Sequence, residues 1–488
     1  MVVGTTSHAG KSLLTAAICR ILKRQGYRVT PFKGQNMALN AYAIADGGEI
    51  GYAQAVQAWA AGLEPAIAMN PILLKPQGDM TSQVILEGKA VGRTRAADYY
   101  RDYFERGWQA IQRSLQQLAR HYEFVVCEGA GSPAEINLKH RDLTNMRVAR
   151  YLNAPTLLVV DIDRGGAFAH VVGTLALLDS DERALIKGVV INKFRGQRSL
   201  LESGIQWLEN YTGVPVVGVI PWLDRPFPAE DSLDLFERRG RRRDADLEIA
   251  VVRLPRIANF TDFDPLVAEP SVSLRYVMPG EAIGQPDAVV IPGSKATRSD
   301  LETLRERGTL AALQSYATAG GTVVGICGGL QMLGRTIADP HGFEGDAGTS
   351  EGLGLLPLET AIAAEKLTQQ RTTRSRWPLG ELPVEGYEIH QGRTAAIAPE
   401  CMQMFADCDL GFVHAGRSHW GCYLHGVFEN GAWRRAWLNQ LRLRRNLAPL
   451  SLEVPHYRQQ RDASFDAIAD AIDTHLDLTP LLPKHAAK

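Results

Sequence analysis

Apolar residues in the first 225 positions fall into short continuous runs, separated by longer stretches with helical spacing. Runs at 124–126, 156–160, 188–191 and 214–220 have the length and β-branched content of buried parallel strands. Between them, 13–25 and 109–121 carry apolar positions at the three-to-four residue interval of a helix with one buried face. Such alternation predicts a doubly wound sheet with helices on both faces.

The pattern breaks at 226–246, where Pro226-Phe227-Pro228 precedes the charged run Glu237-Arg238-Arg239-Gly240-Arg241-Arg242-Arg243-Asp244. A like-charge run of this kind reads as a solvated linker. Short strands resume at 249–252, 288–291 and 322–326. The expected organisation is an α/β domain over 1–225, a linker over 226–246 and a second α/β domain over 247–440. A helical segment and tail would follow over 441–488, with 483–488 loose. No internal repeat is visible.

Composition narrows the class. The 488 residues are 45% hydrophobic and 22% charged, as in ordinary globular proteins. A formal net charge of -1 gives no reason to expect a nucleic acid or an anionic membrane as partner. No apolar run of about 18 residues suggests a membrane span, and no secretory signal opens the chain, so a cytoplasmic location is expected. The six cysteines, at 19, 127, 327, 401, 408 and 422, show no paired spacing for zinc or a disulfide framework.

Two constellations carry chemistry. The first is Gly4-Thr5-Thr6-Ser7-His8-Ala9-Gly10-Lys11-Ser12, running into the apolar stretch that begins at Leu13. Glycines let backbone N–H groups curl around phosphate oxygens, and the following helix points its positive end at them. Lys11 can reach terminal phosphates, and the Ser12 hydroxyl can hold magnesium. Five residues separate the glycines rather than four. Only Val2 and Val3 stand between Met1 and Gly4, which leaves a very short central strand or one that starts upstream. Further polar residues sit where apolar runs end, as in the site of an open parallel sheet: Lys33, Asp46, Glu49, Glu128, Asp161 and Asp163. Ser12, Asp46 and Glu128 are the expected magnesium ligands, with Asp161 in reserve.

The second constellation is Gly325-Ile326-Cys327-Gly328-Gly329-Leu330-Gln331, a strand, a sharp turn at a cysteine and a helix. This is a nucleophile elbow with a thiol in place of a hydroxyl. A helix N-terminus favours the thiolate. The backbone N–H after Cys327, at Gly328, can supply half of an oxyanion hole, and the loop Pro292-Gly293-Ser294-Lys295 the other half. The thiolate needs a base. His425, in Cys422-Tyr423-Leu424-His425-Gly426, is the first candidate, and His390, in Gly386-Tyr387-Glu388-Ile389-His390, the competitor.

Over nearly its whole length the sequence resembles the cobyric acid synthases, glutamine-hydrolysing amidotransferases of cobalamin biosynthesis. The resemblance rests on the phosphate loop with its longer spacing, shared with dethiobiotin synthetase, and on Pro31-Phe32-Lys33-Gly34-Gln35-Asn36-Met37-Ala38-Leu39-Asn40. It rests also on Asn70-Pro71-Ile72-Leu73-Leu74-Lys75-Pro76, Asp161-Ile162-Asp163-Arg164-Gly165-Gly166 and Asn259-Phe260-Thr261-Asp262-Phe263-Asp264. The C-terminal cysteine turn and the two histidine segments resemble the cobalamin-type glutaminase domain.

The resemblance implies a dethiobiotin-synthetase-like phosphate-loop domain followed by a glutamine amidotransferase domain. It implies ATP, magnesium and L-glutamine, no tightly bound organic cofactor, and adenosylcobyrinic acid a,c-diamide amidated at its b, d, e and g carboxylates. Cys327 and His425 would be catalytic, and Gly293, Gly328 and Gln331 would hold the oxyanion and glutamine. Gly10, Lys11 and Ser12 would bind ATP, Lys33 would touch phosphate, and Asn192 would read the adenine. Many glutaminases with this elbow carry a glutamate two residues after the base histidine. Here that position is Val427, and the cobalamin-type branch lacks the glutamate, so the group that orients His425 is open, with Glu429 nearby in sequence.

Overall fold

Six parallel strands form the floor of the N-terminal half. Their spatial order is Val29–Phe32, Phe124–Cys127, Val2–Gly4, Thr156–Asp161, Ile186–Phe194 and Val216–Pro221, the second and third joined by a bridge between Val2 and Glu128. The computed structural model describes residues 1–78, 80–223, 242 and 244–482. Almost all of the expected linker at 226–246, with most of its basic run, and the expected loose tail at 483–488 lie outside these residues.

The strand Val2–Gly4 has three residues, all buried. Leu157, Leu158, Val159 and Val160 on its neighbour are fully buried, which explains why apolar runs without alternation marked these strands. Helices Lys11–Arg24 and Ala96–His121 match the expected helical stretches, but the second is 26 residues long, more than the pattern at 109–121 suggested. Three antiparallel strands, Ile72–Gly78, Thr81–Leu86 and Lys89–Arg95, and the small hairpin Ala41–Ala43/Glu49–Gly51 are inserted in this half.

The C-terminal half is built on a seven-stranded sheet. Its order is Val272–Val277, Leu247–Val252, Ala288–Ile291, Thr322–Ile326, Trp420–Cys422, Gly411–His414 and Cys401–Gln403, the first five parallel. A second sheet contains the long hairpin Leu358–Arg374/Pro383–Ala396. This hairpin reaches the N-terminal half. The Gln370 amide donates to the Ala43 carbonyl at 3.2 Å, and the Tyr387 ring packs on Tyr42 at 4.9 Å. The helix Tyr457–Asp473 then crosses back and lies on Lys11–Arg24, with Arg20 paired to Asp466 at 2.7 Å. Both halves are α/β, as the patterning predicts. Among the described residues no helix is long and apolar enough to cross a membrane.

Candidate active site

Ser12, Lys33 and Glu128 converge at the C-terminal ends of the parallel strands. Gly10 is left-handed, with φ 97°, and caps the helix Lys11–Arg24. A Cβ there would lie 2.1 Å from the Asn192 amide nitrogen, so only glycine fits. The Lys11 amine curls over the loop and donates to the Thr6 carbonyl at 3.0 Å and the Gly131 carbonyl at 3.1 Å.

Glu128 lies one residue past the strand Phe124–Cys127 and is the centre of a buried knot. Its Oε1 accepts from the Ser12 hydroxyl at 2.7 Å and the Lys33 amine at 2.9 Å, and its Oε2 accepts from the Gln57 amide at 2.5 Å. Ser12, Lys33 and Glu128 are thus brought together. Asn192 stands beside them, its amide donating to the Ala9 carbonyl at 2.8 Å. Asp161, the reserve ligand, is instead paired with Lys193 at 2.9 Å, and Asp163 with Arg195 at 3.0 Å.

Asp46 is not brought into this group. It sits on the exposed turn of the hairpin Ala41–Ala43/Glu49–Gly51, and that hairpin packs on the C-terminal half through Gln370 and Asn259. The inward carboxylate of the hairpin is Glu49, which bridges Lys75 and Lys366.

In the C-terminal half Cys327 ends the strand Thr322–Ile326 with φ 52° and ψ -108°, a conformation that a non-glycine residue adopts only under constraint. Its N–H donates to the Cys422 carbonyl at 2.8 Å. A Cβ on Gly329 would stand 1.9 Å from the Ile291 carbonyl oxygen, so the helix Gly328–Leu333 can start this close to the sheet only with glycine there. Gly328 faces the Gly293–Ser294 strand: a Cβ on it would meet the Ser294 nitrogen at 2.9 Å. The two expected oxyanion segments therefore lie side by side.

His425 stands three residues past the strand Trp420–Cys422, and its N–H and carbonyl both bond to Tyr387. The ring lines the same cavity as the Cys327 thiol, which donates to the Ile389 carbonyl at 3.8 Å. Its Nδ1 lies 2.7 Å from Asp262 Oδ2, and Asp262 Oδ1 accepts the Gly426 N–H at 2.9 Å. Burial pulls this imidazole down, but the Asp262 carboxylate and the neighbouring Cys327 thiol outweigh it and raise His425 to about 10.

His390 lines the same cavity but is held elsewhere, with Glu388 at 3.0 Å and the Gly392 carbonyl at 2.8 Å. Glu429 does not reach His425 and pairs with Arg461 at 3.4 Å. Sequence alone leaves the orienting group open, because Asp262 lies 163 residues before the histidine and no local spacing connects the two.

Gln331 donates to the Tyr423 hydroxyl at 3.2 Å, while its amide oxygen is buried without a partner among the described residues. The cavity holding Cys327, His425, Gly293, Gly328 and Gln331 is walled on one side by Leu39 and Lys75 of the N-terminal half. A thiol, a buried imidazole and a carboxylate in series form the arrangement for acyl transfer through a thioester.

Residues 1–232 match the CobQ/CobB/MinD/ParA nucleotide binding domain, and residues 248–433 match the CobB/CobQ-like glutamine amidotransferase domain. Cobyric acid synthase of Nostoc sp. is 65% identical over 488 residues, 99% of each chain. That of Acaryochloris marina is 66% identical over 492 residues, again 99% of each chain, and that of Trichormus variabilis is 64% identical over 488 residues at the same coverage. With a nucleotide-binding half, a glutaminase half and this identity over its whole length, the chain belongs to the cobyric acid synthase family of glutamine amidotransferase ligases.

Proposed function

We propose that the chain amidates the b, d, e and g carboxylates of adenosylcobyrinic acid a,c-diamide, using one ATP and one L-glutamine for each amide. The observation that carries this reading is the buried series Cys327, His425, Asp262, set in a cavity whose far wall belongs to the nucleotide-binding half.

In the N-terminal domain, which we take as 1–225, a substrate carboxylate oxygen attacks the ATP γ-phosphorus. ADP leaves and an acyl phosphate remains. Lys11 and Lys33 hold the phosphoryl oxygens, and Asn192 reads the adenine. Ser12 and Glu128 offer hard oxygen donors 2.7 Å apart at a helix N-terminus, which fits magnesium with its preference for one or two carboxylates. Bound there, magnesium would neutralise charge on the transferring phosphate oxygens. Asp46 is left out of this assignment.

In the glutaminase domain, taken as 247–440, the Cys327 sulfur attacks the glutamine amide carbon. The N–H groups of Gly293 and Gly328 hold the oxyanion, and Gln331 lies against the substrate. His425 gives its proton to the departing ammonia, Asp262 keeps the ring in register, and water releases glutamate from the thioester. Ammonia then displaces phosphate from the acyl phosphate. The domain wall at Leu39 and Lys75 supports a shielded transfer.

The deciding experiment is an amidation assay resolved by mass, with ATP, magnesium and glutamine. Adenosylcobyrinic acid a,c-diamide should gain four amides, and cobyrinic acid should gain none at its a and c positions. Amidation at a and c would overturn the substrate assignment. Cys327→Ala should abolish glutamine-driven amidation and keep amidation from added ammonium salt, whereas Lys11→Ala should remove both.

A further inference from the structure

An ammonium group and a carboxylate face the Cys327 cavity without pairing with each other. Lys295 follows the Gly293–Ser294 strand, and its N–H is fixed to the Arg256 carbonyl at 3.0 Å. Its amine is 9% exposed with the rest of the residue and makes no hydrogen bond or ion pair among the described residues. Glu344 sits beside Thr297 on a loop that the Asp339 carboxylate clamps, accepting the N–H groups of Phe343 and Glu344, both at 2.8 Å. One Glu344 carboxylate oxygen is buried with no hydrogen-bond partner among the described residues.

The other charges of the cavity are already committed. Lys75 and Lys366 take the two oxygens of Glu49, and His390 takes Glu388 and a backbone carbonyl. Burial disfavours the charged forms of the remaining two, pulling Lys295 down to about 8 and lifting Glu344, with Lys366 adding repulsion at Lys295. A buried ammonium without a partner and a buried carboxylate with one oxygen unpaired, both facing a cavity, are expected to gain partners from a ligand. The complementary ligand carries a carboxylate and an ammonium on one carbon atom, which is an α-amino acid zwitterion.

We infer that Lys295 and Glu344 receive the α-carboxylate and the α-ammonium of the glutamine whose side-chain amide is presented to Cys327. This rests on the reading of Cys327 as the nucleophile. The backbone clamps at Arg256 and Asp339 set both groups before the substrate arrives, so the site selects glutamine over amides that lack either charge.

The test uses the full chain and two truncated amides as inhibitors of glutamine hydrolysis. Glutaramic acid lacks the α-amino group, and 4-aminobutanamide lacks the α-carboxylate. The intact protein should bind glutamine at least ~10-fold more tightly than either, the usual effect of one charged hydrogen bond. Glu344→Gln should raise the KM for glutamine by a similar factor and close the gap to glutaramic acid but not to 4-aminobutanamide. Lys295→Met should do the reverse. Circular dichroism of each variant reports that the fold holds. Gaps that stay unchanged in both variants overturn the inference, as does an intact protein that binds glutaramic acid as tightly as glutamine, a result that needs no variant. Failure of the nucleophile reading would look different: Cys327→Ala would keep hydrolysing glutamine.

Discussion

Asp262 is worth most through what it does to His425. The residue is 5% exposed, and its carboxylate holds the imidazole at 2.7 Å from one oxygen, while the other oxygen fixes the Gly426 N–H. Asp262→Asn should keep the ring near its place but remove the charge that raises it, and should present Nδ1 with a donor where an acceptor stood. Glutamine hydrolysis is expected to fall by ~10²- to 10⁴-fold, in line with such substitutions in hydrolytic triads. Ammonium-driven amidation should persist, and equal loss of both activities would refute the role.

The same pair makes a pH prediction. His425 has a folded-state value near 10, above its ordinary 6.5, so its stabilising contribution is complete below about 6.5 and disappears as pH rises through about 10. Urea midpoints of the native protein and of Asp262→Asn should therefore differ most at pH 6.5 and converge toward pH 10. A gap that widens with pH would show that the pair is not charged in the folded protein.

At the level of elements, the parallel strands were legible because burial on both faces writes them as apolar runs: Thr322–Ile326 and Ala288–Ile291 match position for position. The elbow was legible for a related reason, since glycines flank Cys327 wherever the turn needs close packing. The hairpin Leu358–Arg374/Pro383–Ala396 left no such trace. Its first strand ranges from buried at Leu358 to exposed at Gln370, because it bridges from one core to a domain boundary, and its polar residues find partners only in tertiary structure. Asp46 was misplaced for the same reason. Sequence puts two carboxylates, Asp46 and Glu49, around two glycines, and only the pairing of Ala43 with Glu49 shows which carboxylate points inward.

That inward residue, Glu49, is 1% exposed and holds Lys75 at 2.5 Å together with Lys366, so it ties a strand of the nucleotide half to the hairpin of the glutaminase half. Burial pushes the Glu49 carboxyl up, and the two ammonium groups bring it down to about 2. Glu49→Ala would strand two buried cations, and removing one partner of a buried ion pair costs about 3–5 kcal/mol. Chemical denaturation should register a loss of that size. A loss under about 1 kcal/mol would mean that water already reaches the cluster.

Across the whole molecule, the chain's last long helix stabilises its first. Tyr457–Asp473 follows the glutaminase core in sequence, yet Ile468 and Ile472 pack with Leu14, Ile18 and Ile21 of the helix that carries Lys11 and Ser12. Phe465 joins Tyr42, Trp59 and Tyr387 in the apolar cluster where the two halves meet, and the Arg461 guanidinium lies 3.8 Å from the centre of the Trp59 ring. The phosphate loop is therefore braced by a segment that no window around the loop contains. Phe465 is 3% exposed, and truncating it to alanine should cost about 3–5 kcal/mol through lost transfer energy and an unfilled cavity. A chain ending at 455 tests the larger claim. The glutaminase half keeps its own apolar cluster around Trp420, Trp433 and Trp437, which contains no residue of this helix, and meets the helix at its edge through Tyr387 and Glu429. The shortened chain should thus keep much of its glutamine hydrolysis while losing ammonium-driven amidation. If both activities fall together, the helix braces the whole molecule rather than its nucleotide half; if amidation survives, the phosphate loop is held by its own sheet alone.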